Sequence, residues 1–175
     1  ARKEILGENH PDTLSVLNNL AISYSNLGDY SKALELHNTV YTARKEILGE
    51  NHPDTLTALA NLAASYSHIG NYNKALELTN IVYNVLKEIF GETHPKTINA
   101  LENITNIYND LGFYNKALEL ENTVYNARKD FFRESYPDTI NTLSNRAVYY
   151  NALGDYNKSL ELQIRVYNAR KEILG

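Results

Sequence analysis

All four prolines of the chain fall in one column, Pro11, Pro53, Pro95 and Pro137, and Gly28, Gly70, Gly112 and Gly154 form a second. Both columns step by 42 residues, and the segment ARKEILG stands at 1–7, 43–49 and 169–175. A strict period of this length marks one supersecondary unit copied in tandem. Each copy is too small to bury its own apolar face, so stability has to come from stacking neighbours.

Each copy reads as two helices, A at about 11–27 and B at about 30–48, repeated every 42 residues. Proline is tolerated at the first helical position, where the missing N–H would have no intrahelical partner. Asp12 then lies in the first turn, where a negative charge meets the positive end of the helix dipole. Leu14, Leu17, Leu20, Ala21, Tyr24 and Leu27 carry the spacing of one apolar helix face. Gly28 ends helix A because glycine accepts the left-handed conformation of a C-terminal cap. Asp29, Asn71 and Asp155 then cap helix B, with Phe113 breaking the pattern in the third copy. The expected division is 1–7 as the tail of a preceding helix B, followed by repeats 8–49, 50–91, 92–133 and 134–175 of a single solenoid. Arg133 stands where Gly49 and Gly91 close helix B, so the third junction is expected to be less regular.

The string NNLAISYSNLGDYSKALEL at 18–36 resembles a tetratricopeptide repeat, with the matching columns Leu20-Ala21, Tyr24, Gly28, Tyr30 and Ala33 and their copies downstream. The usual period of that family is about 34 residues. The longer period here, with GENHPDT between hairpins, is similar to the variant found in kinesin light chains. The resemblance covers nearly the whole chain. It implies an all-α fold, a right-handed α-α superhelix of antiparallel hairpins, with helix A lining a concave face where peptides bind. Two departures stand out. Val40, Val82, Val124 and Val166 occupy a place usually held by a small alanine. Arg146 stands in a core column otherwise filled by Leu20, Leu62 and Ile104, and is expected to reach solvent or a nearby carboxylate.

Composition narrows the function. The net charge is −4 with both signs interspersed, which lacks the basic stripe of a nucleic-acid binder. No apolar run is long enough to span a membrane. There is no cysteine and no methionine, and the first residue is Ala1. The chain is therefore read as an internal piece of a longer, cytoplasmic protein. Its cut ends are expected to leave apolar faces that associate weakly head to tail.

No phosphate loop, nucleophile elbow or HExxH motif appears, so no enzyme activity and no cofactor are expected. His10, His52 and His94 form a column at the start of helix A. Copies one repeat apart lie on the order of 18–20 Å from each other, too far to share a metal whose ligands stand ~2.1 Å away. No metal site is expected, and the column reads as capping. His37 and His68 read as solvent-facing. Twelve of the fourteen tyrosines fall in three packing columns, and Tyr136 and Tyr149 are off-column, Tyr149 reading as surface variation. Lys32, Lys74, Lys116 and Lys158 stand three residues before Glu35, Glu77, Glu119 and Glu161, as ion pairs on a solvated face.

Asn19, Asn61, Asn103 and Asn145 recur beside the helix A core leucines, where the apolar face does not need them. An amide side chain offers both a donor and an acceptor, so a ladder of them suits the backbone of an extended peptide. The resemblance implies the same role at this position. Bonding between neighbouring helices is the structural alternative. Other groove positions vary between copies: Ser15, Asn18, Ile22, Ser25 and Asn26; Thr57, Ala60, Ala64, Ser67 and His68; Asn99, Glu102, Asn106, Asn109 and Asp110; Asn141, Ser144, Val148, Asn151 and Ala152. None is lysine or arginine. The expected partner is a protein or peptide, a neutral or basic extended segment. The competing reading is a structural or regulatory array within a larger signalling protein.

Overall fold

The structure, a computed structural model, describes residues 7–132 and 137–174. The preceding tail at 1–6, Arg133 and Tyr136 lie outside the described residues, and with them the expected irregular third junction. The described residues form eight helices and no strand: α1 (Pro11–Asn26), α2 (Tyr30–Leu48), α3 (Pro53–His68), α4 (Tyr72–Phe90), α5 (Pro95–Asp110), α6 (Tyr114–Phe132), α7 (Pro137–Ala152) and α8 (Tyr156–Leu174). Odd-numbered helices are the A helices and even-numbered ones the B helices. The chain falls into two compact units, Ala1–Val85 and Leu86–Gly175.

Local signals set the boundaries. His10, His52 and His94 each cap a helix, their Nδ1 accepting from the backbone N–H of Asp12, Asp54 and Lys96 at 3.1–3.2 Å. This satisfies one of the first-turn donors that no helix can pair internally, and the histidine column is a set of caps. At the other end, Gly28 takes φ +80°. That turn lets the Asp29 N–H reach back to the Tyr24 carbonyl at 2.9 Å, and the same bond forms at Asn71, Phe113 and Asp155. Asp29, Asn71 and Asp155 then accept from the N–H three residues on, capping the B helices.

In the first unit α2 packs against both α1 and α3; in the second, α5 packs on α6, α6 on α7 and α7 on α8. Ala21, Ala63 and Ala147 on the A helices and Ala33, Ala75 and Ala117 on the B helices are buried. Small residues there let helix axes approach closely. Val40, Val82, Val124 and Val166 are buried as well, so the larger side chain in place of alanine fills the core. A threonine column adds polar stitching: Thr55 donates to the Arg44 carbonyl at 3.2 Å, and Thr97 donates to the Gly91 carbonyl at 2.8 Å.

Several expectations need correction. Leu27 is 82% exposed and belongs to the surface, because it follows the last helical residue of α1 and the chain turns away from the core there. His37 is buried and shares a 2.7 Å hydrogen bond with Ser65 across α2 and α3. His68, by contrast, is exposed as expected; it bonds Ser25 at 3.0 Å, and its ring lies 5.1 Å from that of Tyr30. Tyr149 is buried in the second unit, 3% exposed. Of the tyrosine columns, Tyr125 is buried whereas Tyr156 and Tyr167 on α8 are largely exposed. Lys74 and Lys116 pair with Glu77 and Glu119, but Lys32 and Lys158 turn back to Asp29 and Asp155. The difference follows the cap, since a carboxylate at the start of helix B attracts the lysine that asparagine or phenylalanine leaves for the glutamate.

Candidate functional site

The helix A faces carry the expected binding positions, and each unit presents its own set. In the first unit Ser15, Asn19, Ile22 and Asn26 of α1 and Thr57 and Ala64 of α3 are exposed, with Asn18, Ser25, Ala60, Asn61 and Ser67 half-buried. In the second, Asn99, Asn103, Asn106 and Asp110 of α5 and Asn141, Val148, Asn151 and Ala152 of α7 are exposed, with Glu102, Asn109, Ser144 and Asn145 half-buried. The faces are thus polar and reachable, which an extended ligand requires.

The asparagine column divides in two. Asn61 donates to the Asn18 Oδ1 at 2.8 Å, joining α3 to α1. Asn145 donates to the Glu121 Oε1 at 3.0 Å, joining α7 to α6. Both keep their own amide oxygen available as an acceptor. The exposed side chains of Asn19 and Asn103 make no hydrogen bond among the described residues. Two rungs therefore brace helices while two stand open. Around them, Ser15 and Thr57 satisfy their hydroxyls on the carbonyls of Pro11 and Pro53 at 2.9 Å, and Asn109 donates to Asp110 at 3.3 Å.

The acidity that Glu102 and Asp110 give the third copy is partly offset. Glu102 is held by Arg128 of α6 through two bonds, Nη1 to Oε1 at 3.0 Å and Nη2 to Oε2 at 2.8 Å. Such a two-point pair is directional and strong for an ion pair. Arg128 also donates to Asn99 Oδ1 at 3.5 Å. Arg170 of α8 donates in the same manner to Asn141 at 3.2 Å. The arginines that meet the helix A positions thus come from the B helices, which a list of helix A residues does not reveal.

A buried polar cluster in the second unit joins Glu121, which the sequence reading did not single out, to Arg146 and Tyr149, which it marked as departures. Glu121 is 0% exposed, and its Oε2 accepts no hydrogen bond among the described residues. Burial pushes its carboxyl up to about 7; the bond from Asn145 opposes this, nearby Glu102 adds to it, and Arg128 and Arg146 offset part. Arg146 stacks its guanidinium 4.9 Å above the Tyr125 ring and leaves its Nε unbonded, so an aromatic face rather than a carboxylate contact receives it. Burial also raises the Tyr149 hydroxyl well above its usual range. The signal was present in one column: His37, Thr79, Glu121 and Gln163 are polar in every copy, and the first three are buried on helix B. Glu121, Arg146 and Tyr149 are departures from the repeat that sit together.

Family comparisons agree with this architecture. Two models described as tetratricopeptide repeat match the chain, one over residues 1–46 and 12–80 and the other over 139–175. The chain is a tetratricopeptide repeat protein. A crystal structure of a Podosopora anserina protein assigned as a kinesin light chain, with nearly identical TPR-like repeats, superposes with a TM-score of 0.83 at 24% identity. That match covers 99% of this chain and 82% of the other. BtubC (BKLC) from P. vanneervenii gives 0.82 at 19% identity, covering 93% and 65%. MamA gives 0.65 at 13% identity, covering 98% and 86%. No curated protein matches the chain. At these identities the solved structures establish the shared repeat fold. Among the described residues of this repeat protein, no group of histidines and carboxylates is arranged to hold a metal ion, and no helix is long and apolar enough to cross a membrane.

Proposed function

We propose that this tetratricopeptide repeat protein is a cytoplasmic interaction scaffold, without catalytic activity, that holds an extended peptide or partner segment along its helix A faces. The observation that carries this reading is the open pair in the asparagine column. Asn19 and Asn103 are exposed with unbonded amides, while the neighbouring columns are spent on packing. A side chain that is not needed by the fold and offers both donor and acceptor suits a peptide backbone of any sequence. The remaining carbonyl oxygens of Asn61 and Asn145 add acceptors in each unit. With Glu102 partly neutralised by Arg128 and Asp110 exposed, neutral or basic segments fit these faces best. The proposed division is a single array with repeats 8–49, 50–91, 92–133 and 134–175.

Selection of this chain against a random-peptide display library tests the proposal. Recovered peptides should be neutral or basic, and converting Asn19 and Asn103 together to alanine should weaken them by at least ~1 kcal/mol, about fivefold. Unchanged affinity in that pair of substitutions would sink the asparagine role.

A second reading, a structural array with end-to-end self-association, is favoured by α8. Tyr156, Leu160, Ile164 and Tyr167 are all exposed there, whereas Tyr114 and Leu118 at matching places on α6 are half-buried and Tyr125 is buried. Sedimentation at rising concentration tests it: Leu160→Glu should lower any association, and a strict monomer for the parent chain would remove this reading.

A further inference from the structure

Two departures from the repeat bring opposite charges to one junction. Glu121 stands in a column that holds His37, Thr79 and Gln163 elsewhere, and Arg146 in one that holds Leu20, Leu62 and Ile104. The acid occurs once in its column and the arginine once in its own, and both fall where α6 meets α7. Yet the two do not pair. The Glu121 Oε2 and the Arg146 Nε are both buried, and neither has a hydrogen-bond partner among the described residues. A buried acceptor and a buried donor left in this way each carry a desolvation penalty, and one hydrogen bond between them removes both.

Glu121 and Tyr125 lie four residues apart on α6. Such positions share one helix face, with about 5–6 Å between their Cβ atoms. Arg146 of α7 is close to both. Its guanidinium rests 4.9 Å from the Tyr125 ring centre, and its charge acts on the Glu121 carboxyl. Asn145, its neighbour in the chain, already reaches the Glu121 Oε1 at 3.0 Å. A change of side-chain torsions, with both helices in place, therefore carries the guanidinium from the ring to the carboxyl. The proton on Glu121 decides which seat is better. A neutral carboxyl offers a cation little, whereas the face of an aromatic ring attracts it. An ionised carboxylate offers a charge-assisted hydrogen bond, which is the stronger hold.

We propose that Arg146 is the moving arm of a proton-driven switch: it rests on Tyr125 while Glu121 is neutral and crosses to the Glu121 Oε2 when that carboxyl ionises. The other charged and titratable groups around the site do not take its place. Glu102 of α5 and Arg128 of α6 hold each other through two bonds. Burial, and the charges of Glu121, Glu102 and Asp110, keep the Tyr149 hydroxyl of α7 protonated. Arg165 of α8 reaches the Tyr125 hydroxyl at 3.4 Å. With Arg146 on the ring, burial carries the Glu121 carboxyl from 4.5 up to about 7. Pairing favours the ionised form, so the switch turns between these two values. The crossing takes a cation away from the tyrosine whose hydroxyl Arg165 holds, and one proton thereby ties the α6–α7 junction to α8.

Proton NMR of the whole chain tests this through the nuclear Overhauser contact between the Tyr125 ring and the Arg146 δ-methylene. The contact should be strong at pH 4.5 and lost at pH 8. Glu121→Gln, which does not ionise, should keep it at both. Arg146→Leu, which restores the residue type of Leu20 and Leu62, should raise the proton affinity of Glu121 about tenfold, read from the carbon-13 shift of its carboxyl. The proposal is overturned if the contact in the parent chain is absent at pH 4.5 or persists at pH 8. It is equally overturned if Glu121→Gln loses the contact as the parent does, or if Arg146→Leu leaves the titration of Glu121 where it was. Far-ultraviolet circular dichroism of each protein at both pH values separates a moved side chain from a lost fold.

Discussion

Replacing Glu121 with glutamine should stabilise the protein at pH 8 and leave it nearly unchanged at pH 4.5. The carboxyl is fully buried, one oxygen accepts from Asn145 and the other is unbonded. Its pKa rises from an ordinary 4.5 to about 7. A group whose folded pKa is raised contributes stability that is full below the unfolded pKa and is lost as pH rises through the folded one. Here the window runs from 4.5 to about 7. At about 1.4 kcal/mol per pKa unit, the ionised glutamate costs ~3 kcal/mol relative to its neutral form. Glutamine keeps the shape and an oxygen for Asn145, and it does not ionise. The charged groups around the site, Glu102, Arg128 and Arg146, are left in place by the substitution, as is Tyr149. The assay is urea denaturation followed by far-ultraviolet circular dichroism, comparing the variant with the parent at both pH values. A variant-minus-parent difference that is the same at pH 4.5 and 8, or larger at the acid end, would refute the reasoning.

Arg128→Ala should lower stability by about 2–3 kcal/mol, somewhat less than the loss of a fully buried pair, because Glu102 retains partial access to solvent; a melting curve reads this directly. Gly28→Ala should cost ~1 kcal/mol, since a side chain at φ +80° is strained even though the space around it is open, and chemical denaturation measures it. His37, whose pKa is lowered first by burial and then by the charge of His68, should work in the opposite direction to Glu121. Its contribution is lost as pH falls below the ordinary histidine range through the depressed value, so an NMR titration of its ring should show a midpoint below that range, and a midpoint at or above it would contradict the burial argument.

The repeat made the helices legible because each boundary is written locally. Proline marks every start of helix A, histidine precedes it in every copy but the fourth, where Tyr136 stands instead, and glycine marks every end of helix A. These signals depend on neighbouring residues alone. What escaped the sequence reading depends on partners far along the chain. His37 looks like a surface histidine until Ser65 is placed against it from 28 residues away. Arg128 reads as one cation among the many of helix B, yet it reaches back 26 residues to Glu102. Tyr149 looks like drift until it is found buried, with the charge of Glu121 acting on its hydroxyl. Periodicity also sorts core from surface only to the extent that each copy has the same neighbours. Leu20 is 43% exposed where Leu62 is 4% exposed, though the two occupy one column. The candidate site was legible in outline, since the helix A positions are polar and accessible. The split of the asparagine column into braced and open members required Asn18 and Glu121 as partners, and those pairings have no local signature.

The central claim is that the helix A faces of this tetratricopeptide repeat protein bind a peptide through their open asparagines. Amide resonances mapped by NMR during titration with a library-selected peptide test it most directly. The account predicts saturable shifts centred on the side chains of Asn19 or Asn103 and their helix A neighbours Asn106, Asn109 and Ser25, with the exposed face of α8 unmoved. Shifts confined to Tyr156, Leu160 and Tyr167 of α8, with both asparagine side chains unperturbed, would contradict it.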